Sequence, residues 1–394
     1  MTISFDPYGK AYFADPYPIY KRLRDEAPVY HNAERNFWAL SRFADVQAAH
    51  KDTARFLSSG GVTIEGVEKG FPLLIIKDGA EHARHKSLVT QIFTPNRMAN
   101  LKSYIHQRTI ELLDAAAKKT EFDFVKEFSV VLPLDVISQL LDIPEEYREE
   151  YHHLVNTTLT RGEASDTDKA LEANRNLMVM FFRLIEERRN TPRDDVITLL
   201  MNANVKDETG QPRKLTDIEL AFRFHEMGAA GHETAAKAIA NGAMAFTRFP
   251  QQRQILKDNP ALLLNAVHEI MRLEPPSQLQ GRTTAEDVTL HGVTIPKGQK
   301  VMLLTGSACR DEREFANPDQ FDITRSPDTR SIYFGLGVHK CLGMHLATLE
   351  ISVAFEELFR RFPDFEVDVN RAEYPILSNV RGPGTLPGRL NHGV

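Results

Sequence analysis

Phe334-Gly335-Leu336-Gly337-Val338-His339-Lys340-Cys341-Leu342-Gly343 is the stretch on which the reading of this chain turns. Three glycines in nine residues permit tight turns and let the backbone lie close against a flat object. Leu342, Leu346, Leu349 and Val353 then recur at helical spacing, which predicts a helix over 342–361 closed by Arg360 and Arg361. Cys341 therefore stands at a helix start, where free N–H groups and positive potential lower a thiol pKa from ~8.5 and favour the thiolate. A cysteine can also be an inert packing residue. Two other site chemistries fail on spacing. Zinc needs further Cys or His at short intervals, and Cys309 lies far upstream with no CxxC. A dinucleotide loop needs a glycine where Lys340 stands.

Two upstream segments extend the pattern. In Ala266-Val267-His268-Glu269-Ile270-Met271-Arg272-Leu273 opposite charges sit three residues apart, on one helix face among apolar neighbours, and Glu274-Pro275-Pro276 stops the helix. Such a pair is expected partly buried and held by specific partners; a solvated surface pair is the alternative. Further upstream, Gly228, Ala229, Ala230, Gly231, Thr234, Ala235 and Ala236 strip the bulk from the middle of a helix expected over 216–248. Gly231 costs about 1 kcal/mol relative to alanine. It asks for a reason: close approach of something flat, a local opening of the helix, or a tight helix crossing. Thr234 can donate to the carbonyl of Ala230, and Glu233 adds an ionisable group to an apolar stretch.

FGLGVHKCLG resembles the haem-binding signature of the cytochrome P450 family, matching at Phe334, Gly335, Gly337, His339, Cys341 and Gly343. Glu269–Arg272 and Ala230-Gly231-His232-Glu233-Thr234 are similar to two further family motifs in the family's order and spacing. The resemblance covers essentially the whole chain. It implies a mainly α fold with a small β part, one triangular domain over 1–394 enclosing haem b. Cys341 is implied as the axial iron ligand, with Phe334, Gly335, Gly343 and Ala230 against the haem. Glu233 and Thr234 are implied as the acid and alcohol that manage water and protons when dioxygen is activated. For the haem propionates the matching positions are His82 and Lys86 in Glu81-His82-Ala83-Arg84-His85-Lys86, Arg282, and His339. Lys86 keeps the charge of the arginine common there but lacks its bidentate fork. The Glu269–Arg272 pair is implied to hold the fold around the Cys341 loop with a third, basic partner. Gln320, in Pro318-Asp319-Gln320-Phe321, stands where that arginine is common, which leaves the partner unassigned.

The implied activity is monooxygenation: hydroxylation or epoxidation of a small-to-medium apolar substrate with O2. Electrons come from NAD(P)H. No flavin or nicotinamide site is visible, so a separate ferredoxin and its NAD(P)H-dependent reductase are the expected partners, with Lys340 on the side that meets them. Segments implied to face substrate are 62–76, Met227 and Ala230, Leu279 and Gln280, and 377–380; they are largely aliphatic. A peroxide-driven peroxygenase and a haem sensor or carrier without turnover are the alternatives, and an intact Glu233-Thr234 pair speaks against both.

The rest of the chain sets bounds. Its 394 residues are 42% hydrophobic and 26% charged, ordinary for a globular protein. A net charge of -6 gives no reason to expect nucleic acid. Two cysteines make no disulfide framework, which fits a reducing cytoplasm. Neither a signal peptide nor an apolar run of the ~18 residues that span a bilayer is visible, so no membrane anchor is expected. Helical spacing also marks 16–27, 96–118, 171–189 and 261–273, and strands are expected at 37–41, 288–295 and 299–305. The polar segments 161–169 and 206–214 read as exposed loops.

Overall fold

The structure, a computed structural model, describes residues 3–67, 71–159, 164–207, 209–326, 332–377 and 379–390. Helices dominate, and the longest, Asp217–Arg248, organises them. A capping box starts it: Thr216 accepts from the Glu219 N–H at 3.2 Å while the Glu219 carboxylate accepts from the Thr216 N–H at 2.8 Å. Its glycines are contact points. Gly231 lies against Ile137 of the helix Val131–Leu140, whose Cδ1 would be 2.8 Å from an added Cβ. Gly242 admits Phe355 and Ile270 in the same way. The tight helix crossing offered as a reason for Gly231 is present.

The small β part is mainly a five-stranded sheet in the order Val29–Asn32, Phe37–Leu40, Lys300–Leu303, Gln280–Thr284 and Phe56–Leu57. Lys300–Leu303 runs parallel to Phe37–Leu40 and antiparallel to Gln280–Thr284, pairing Val301 with Arg282. One apolar cluster fills the space between the helices. A second, built from Phe5, Tyr20, Phe37, Leu279, Met302, Leu377 and Val380, lies along the sheet.

Several expectations change. The stretch 288–295 is a hairpin of Val288–Leu290 and Val293–Ile295. It turns at His291 and Gly292, both at positive φ (50° and 77°), the geometry that suits a two-residue turn. The loop expected at 206–214 belongs to another hairpin, Asn204–Lys206 with Pro212–Lys214. In the loop expected at 161–169, residues 161–163 lie outside the described residues, and 164 onward already belongs to the helix Ala164–Asn190. Its exposed Thr167, Asp168 and Lys169 mimic a loop because they cover a solvent face.

The Glu269–Arg272 pair is buried, each residue 4% exposed, at the end of the helix Leu263–Leu273. Arg272 meets the carboxylate with two nitrogens, at 2.7 and 2.8 Å, and donates to the carbonyls of Cys309, Pro318 and Gln320. Glu269 also accepts from the backbone N–H of Asp322 at 3.0 Å. The third, basic partner is Arg325, 3.3 Å from the carboxylate. Gln320 contributes only its carbonyl, and the cation comes from five positions later.

Candidate active site around Cys341

The Cys341 loop is folded by its glycines. Gly335 and Gly337 have φ of +67° and +66°, and a Cβ on Gly337 would come within 3.0 Å of the His50 carbonyl. The Cys341 N–H closes the loop on the Phe334 carbonyl at 2.8 Å, while Phe334 is buried with its ring 5.2 Å from Tyr333. The following helix is Met344–Arg361, with Gly343 as its N-cap, so Cys341 precedes the helix by two residues more than its spacing predicts. The terminal donors still act on the sulfur: the N–H groups of Gly343 and Met344 draw its pKa down.

Cys341 is a free, exposed cysteine with protein neighbours close around it. Burial there pushes its pKa up, and the Gly343 N–H, the Lys86 ammonium and the Met344 N–H pull against that without prevailing. The expected net lowering is therefore not found in the protein alone. A metal cation at the sulfur reverses that balance, because coordination deprotonates a thiol outright. Cys309 is no rival. It is buried, and burial pushes its thiol up to about 12.

Cationic and imidazole groups converge beside the loop. Arg282 is 3% exposed, yet among the described residues it makes no ion pair; its guanidinium donates to the Gly281 carbonyl at 2.8 Å. Burial lowers its pKa to about 10, partly offset by Asp78. His339 shares a hydrogen bond with Ser58 at 3.1 Å, lies 3.8 Å from Asp78 and packs its ring 4.2 Å from that of His82. Burial, helped by His339 and Lys86, pushes His82 down to about 4. Lys86 is turned elsewhere. Its ammonium donates to the carbonyls of Val338 and Lys340, so it braces the Cys341 loop from the sulfur's side.

His50 was not legible as part of the site. It ends the helix Phe43–Lys51 with no motif around it, yet it is buried behind Gly335 and Gly337. Among the described residues neither ring nitrogen has a partner, and burial, Arg282 and His339 push it down to about 3.

The Glu233–Thr234 segment sits mid-way along Asp217–Arg248. His232 faces inward, its Nδ1 3.0 Å from the Gly228 carbonyl. Ala230 is exposed and Thr234 half-buried, and the Thr234 hydroxyl donates to the Ala230 carbonyl at 3.1 Å, the bond that their spacing suggests. This helix packs on Met344–Arg361 through Gly242 and Phe355, which ties the helix of Glu233 and Thr234 to the element that follows Cys341. Of the segments implied to face substrate, Leu279, Leu377 and Val380 are buried in the sheet-side cluster. Phe71 and Ile75 are exposed, with the Phe71 ring 5.5 Å from that of Phe222; residues 68–70 and 378 lie outside the described residues.

These features fit a haem. An unpaired buried guanidinium and a buried imidazole without partners are costly on their own and suited to an anionic group such as a propionate. The glycine-cradled thiol suits the iron.

Comparison with known proteins agrees. The family model described as cytochrome P450 matches residues 250–386, a span that holds Glu269, Arg272, Arg282 and Cys341. The putative cytochrome P450 123 of Mycobacterium tuberculosis is 36% identical over 389 residues, covering 97% of this chain and 96% of that one. The polyketide biosynthesis cytochrome P450 PksS of Bacillus subtilis is 32% identical over 99% of both chains. Among solved structures, CYP109E1 of Bacillus megaterium in complex with corticosterone aligns over 97% of this chain and all of that one, with a TM-score of 0.86 at 30% identity.

Proposed function

The chain belongs to the cytochrome P450 family of haem b monooxygenases, and from that premise we propose that Cys341 holds the iron and that Glu233 and Thr234 supply the protons of the reaction. Bound haem supplies the activation of dioxygen and the insertion of one oxygen atom into a C–H or C=C bond. Arg282, His339 and His82 bind and orient its propionates, with His50 beside them. Phe334, Gly335 and Gly343 keep the thiolate face narrow. Lys86 holds the loop carbonyls and adds positive charge near the sulfur, which favours the thiolate.

The observation that carries the relay is the open strip on an otherwise packed helix. Ala230 is exposed while Gly228 and His232 are buried around it. On that strip the Thr234 hydroxyl is anchored to the Ala230 carbonyl, and Glu233 precedes it in the sequence. An anchored hydroxyl can hold a water or accept a proton at a fixed place, and the acid beside it can resupply that proton.

The substrate is an apolar organic molecule of small to medium size, supported by Phe71, Ile75, Phe222 and Met227 on the segments before and within the relay helix. The solved CYP109E1 complexes contain corticosterone and testosterone, so these steroids are the first compounds to screen for a change in iron spin state. Electrons come from NAD(P)H through a ferredoxin and its reductase. Exposed Val338 and Lys340 on the outer side of the Cys341 loop support that docking side.

Thr234→Ala is expected to keep haem and substrate binding but to form less product per NAD(P)H consumed, with peroxide released in its place. Glu233→Gln is expected to slow turnover, since positioned acid–base groups contribute about 10²–10⁴-fold. Product, NAD(P)H and peroxide measured together decide it. Wild-type coupling in Thr234→Ala would remove Thr234 from the relay. Turnover of the native enzyme with peroxide alone would make it a peroxygenase.

A further inference from the structure

The segment 71–77 leads into the helix Gly79–Thr90 and has one short helical turn of its own, Leu74–Ile76. Leu74 and Ile76 are buried, while Phe71 and Ile75 are 41% and 42% exposed. Backbone groups outside a helix or ladder need partners from elsewhere. Here the relay helix supplies two of them, from side chains three residues apart. The Arg223 guanidinium donates to the Pro72 carbonyl, and the Glu226 carboxylate accepts from the Ile75 N–H at 3.0 Å. The spacing matches on both sides: 223 and 226 hold 72 and 75. Arg223 and Glu226 are also paired with each other, and the Phe71 ring stands edge-on to Phe222 with centroids 5.5 Å apart.

This is more than a surface contact. Arg223 is only 2% exposed, and a buried guanidinium that loses its anion is costly. Nearby charges are committed elsewhere: Lys77 pairs with Glu81, and Glu219 with Arg213. His85 on Gly79–Thr90 is buried, and burial together with Arg223 pushes it down to about 4, so it brings no competing charge. His225 bonds Asn174 of the helix Ala164–Asn190 at 2.8 Å, so one turn of the relay helix holds two neighbouring elements. That turn lies just before Met227, and Glu226 is about 6 Å along the axis from Ala230.

We propose that Arg223 and Glu226 form a clasp that sets which molecules reach the haem. By gripping the backbone at Pro72 and Ile75 they fix how far Phe71 and Ile75 stand from the relay helix, and so the largest apolar molecule that passes. Both are positioning residues. The clasp holds only backbone, which leaves the side chains at 71 and 75 to select by shape. This rests on the reading that 62–76 and Met227 face substrate.

The test is the rate at which imidazole and the bulkier 4-phenylimidazole bind the ferric holoenzyme after rapid mixing. Arg223→Met with Glu226→Leu removes both grips without stranding either charge. Arg223→Glu with Glu226→Arg keeps an ion pair but turns each partner toward the wrong backbone group. Both double variants are expected to speed 4-phenylimidazole about tenfold or more, the weight of one hydrogen bond to a charged group. Imidazole binding, haem content and the carbon monoxide spectrum are expected to stay native. A native ratio of the two rates in Arg223→Met with Glu226→Leu overturns the proposal. So does a native ratio in the exchanged pair, which would make the contact a helix ion pair and nothing more, and so does equal acceleration of both probes, which would mean general loosening. If the double variants lose haem, Glu226→Gln decides, since it keeps an acceptor for Ile75 but not the charge: a native ratio there overturns the clasp, and loss of haem there as well makes the pair purely structural and overturns it too. Met227→Trp crowds the place given to substrate. If it leaves both rates unchanged, the reading of where substrate enters fails and the clasp falls with it; if it slows them while the clasp variants do nothing, the clasp alone is wrong.

Discussion

Glu269→Ala and Arg272→Ala are each expected to yield little protein that holds haem. The pair is a junction: one guanidinium binds one carboxylate twice and three carbonyls of the segment 309–320, and that carboxylate binds the Asp322 N–H and Arg325. All of it converges where both side chains are almost fully buried. Removing one partner of such a pair strands the other charge at a cost of about 3–5 kcal/mol, against a total stability of roughly 5–15 kcal/mol for a typical protein. Glu269→Ala is the harsher change, because it strands Arg272 and also deprives Arg325 of its anion. Arg325→Ala is expected to be mild, about 1 kcal/mol or less, since Arg325 is partly exposed and its contact is longer. Haem per mole of soluble protein, measured with the thermal midpoint, orders the three. Native haem content in both Glu269→Ala and Arg272→Ala would show that the junction contributes little.

Cys341→His is the second large effect. The imidazole can still meet iron, so some haem is expected to remain, but product formation is expected to vanish because a neutral ligand does not push electron density toward O–O cleavage as a thiolate does. Cys309 cannot step in: burial holds its thiol protonated, with its pKa pushed up to about 12, and its carbonyl is bonded to Arg272. Product assays with a competent ferredoxin and reductase, at matched haem concentration, measure the loss. Residual activity near the native level would mean that iron is held by another residue.

What could be read from the sequence followed where the physics was local. The turns at Gly335 and Gly337, the Thr234 bond to Ala230 and the burial of Glu269 with Arg272 each depend on residues a few positions apart. The helix Val131–Leu140 escaped because nearly all of it is buried, so no polar face marks a period. Gly79–Thr90 escaped because two of its buried positions are His82 and His85, which do not read as core. His50 and Arg325 reach the site only through tertiary folding, and the Lys86 side chain goes to Val338 and Lys340, carbonyls no local pattern could name. The thiol's net pKa direction was missed for the same reason. The helix-end donors are local, but the walls that desolvate Cys341 are not.

Whether the thiolate of Cys341 holds a haem iron is read from the absorption spectrum of the reduced native protein under carbon monoxide. The strongly red-shifted Soret band of thiolate-ligated haem is expected in the native protein and is expected to be absent from Cys341→His. A native spectrum with the band of imidazole- or thiol-ligated haem, or a thiolate band that survives Cys341→His, would contradict it.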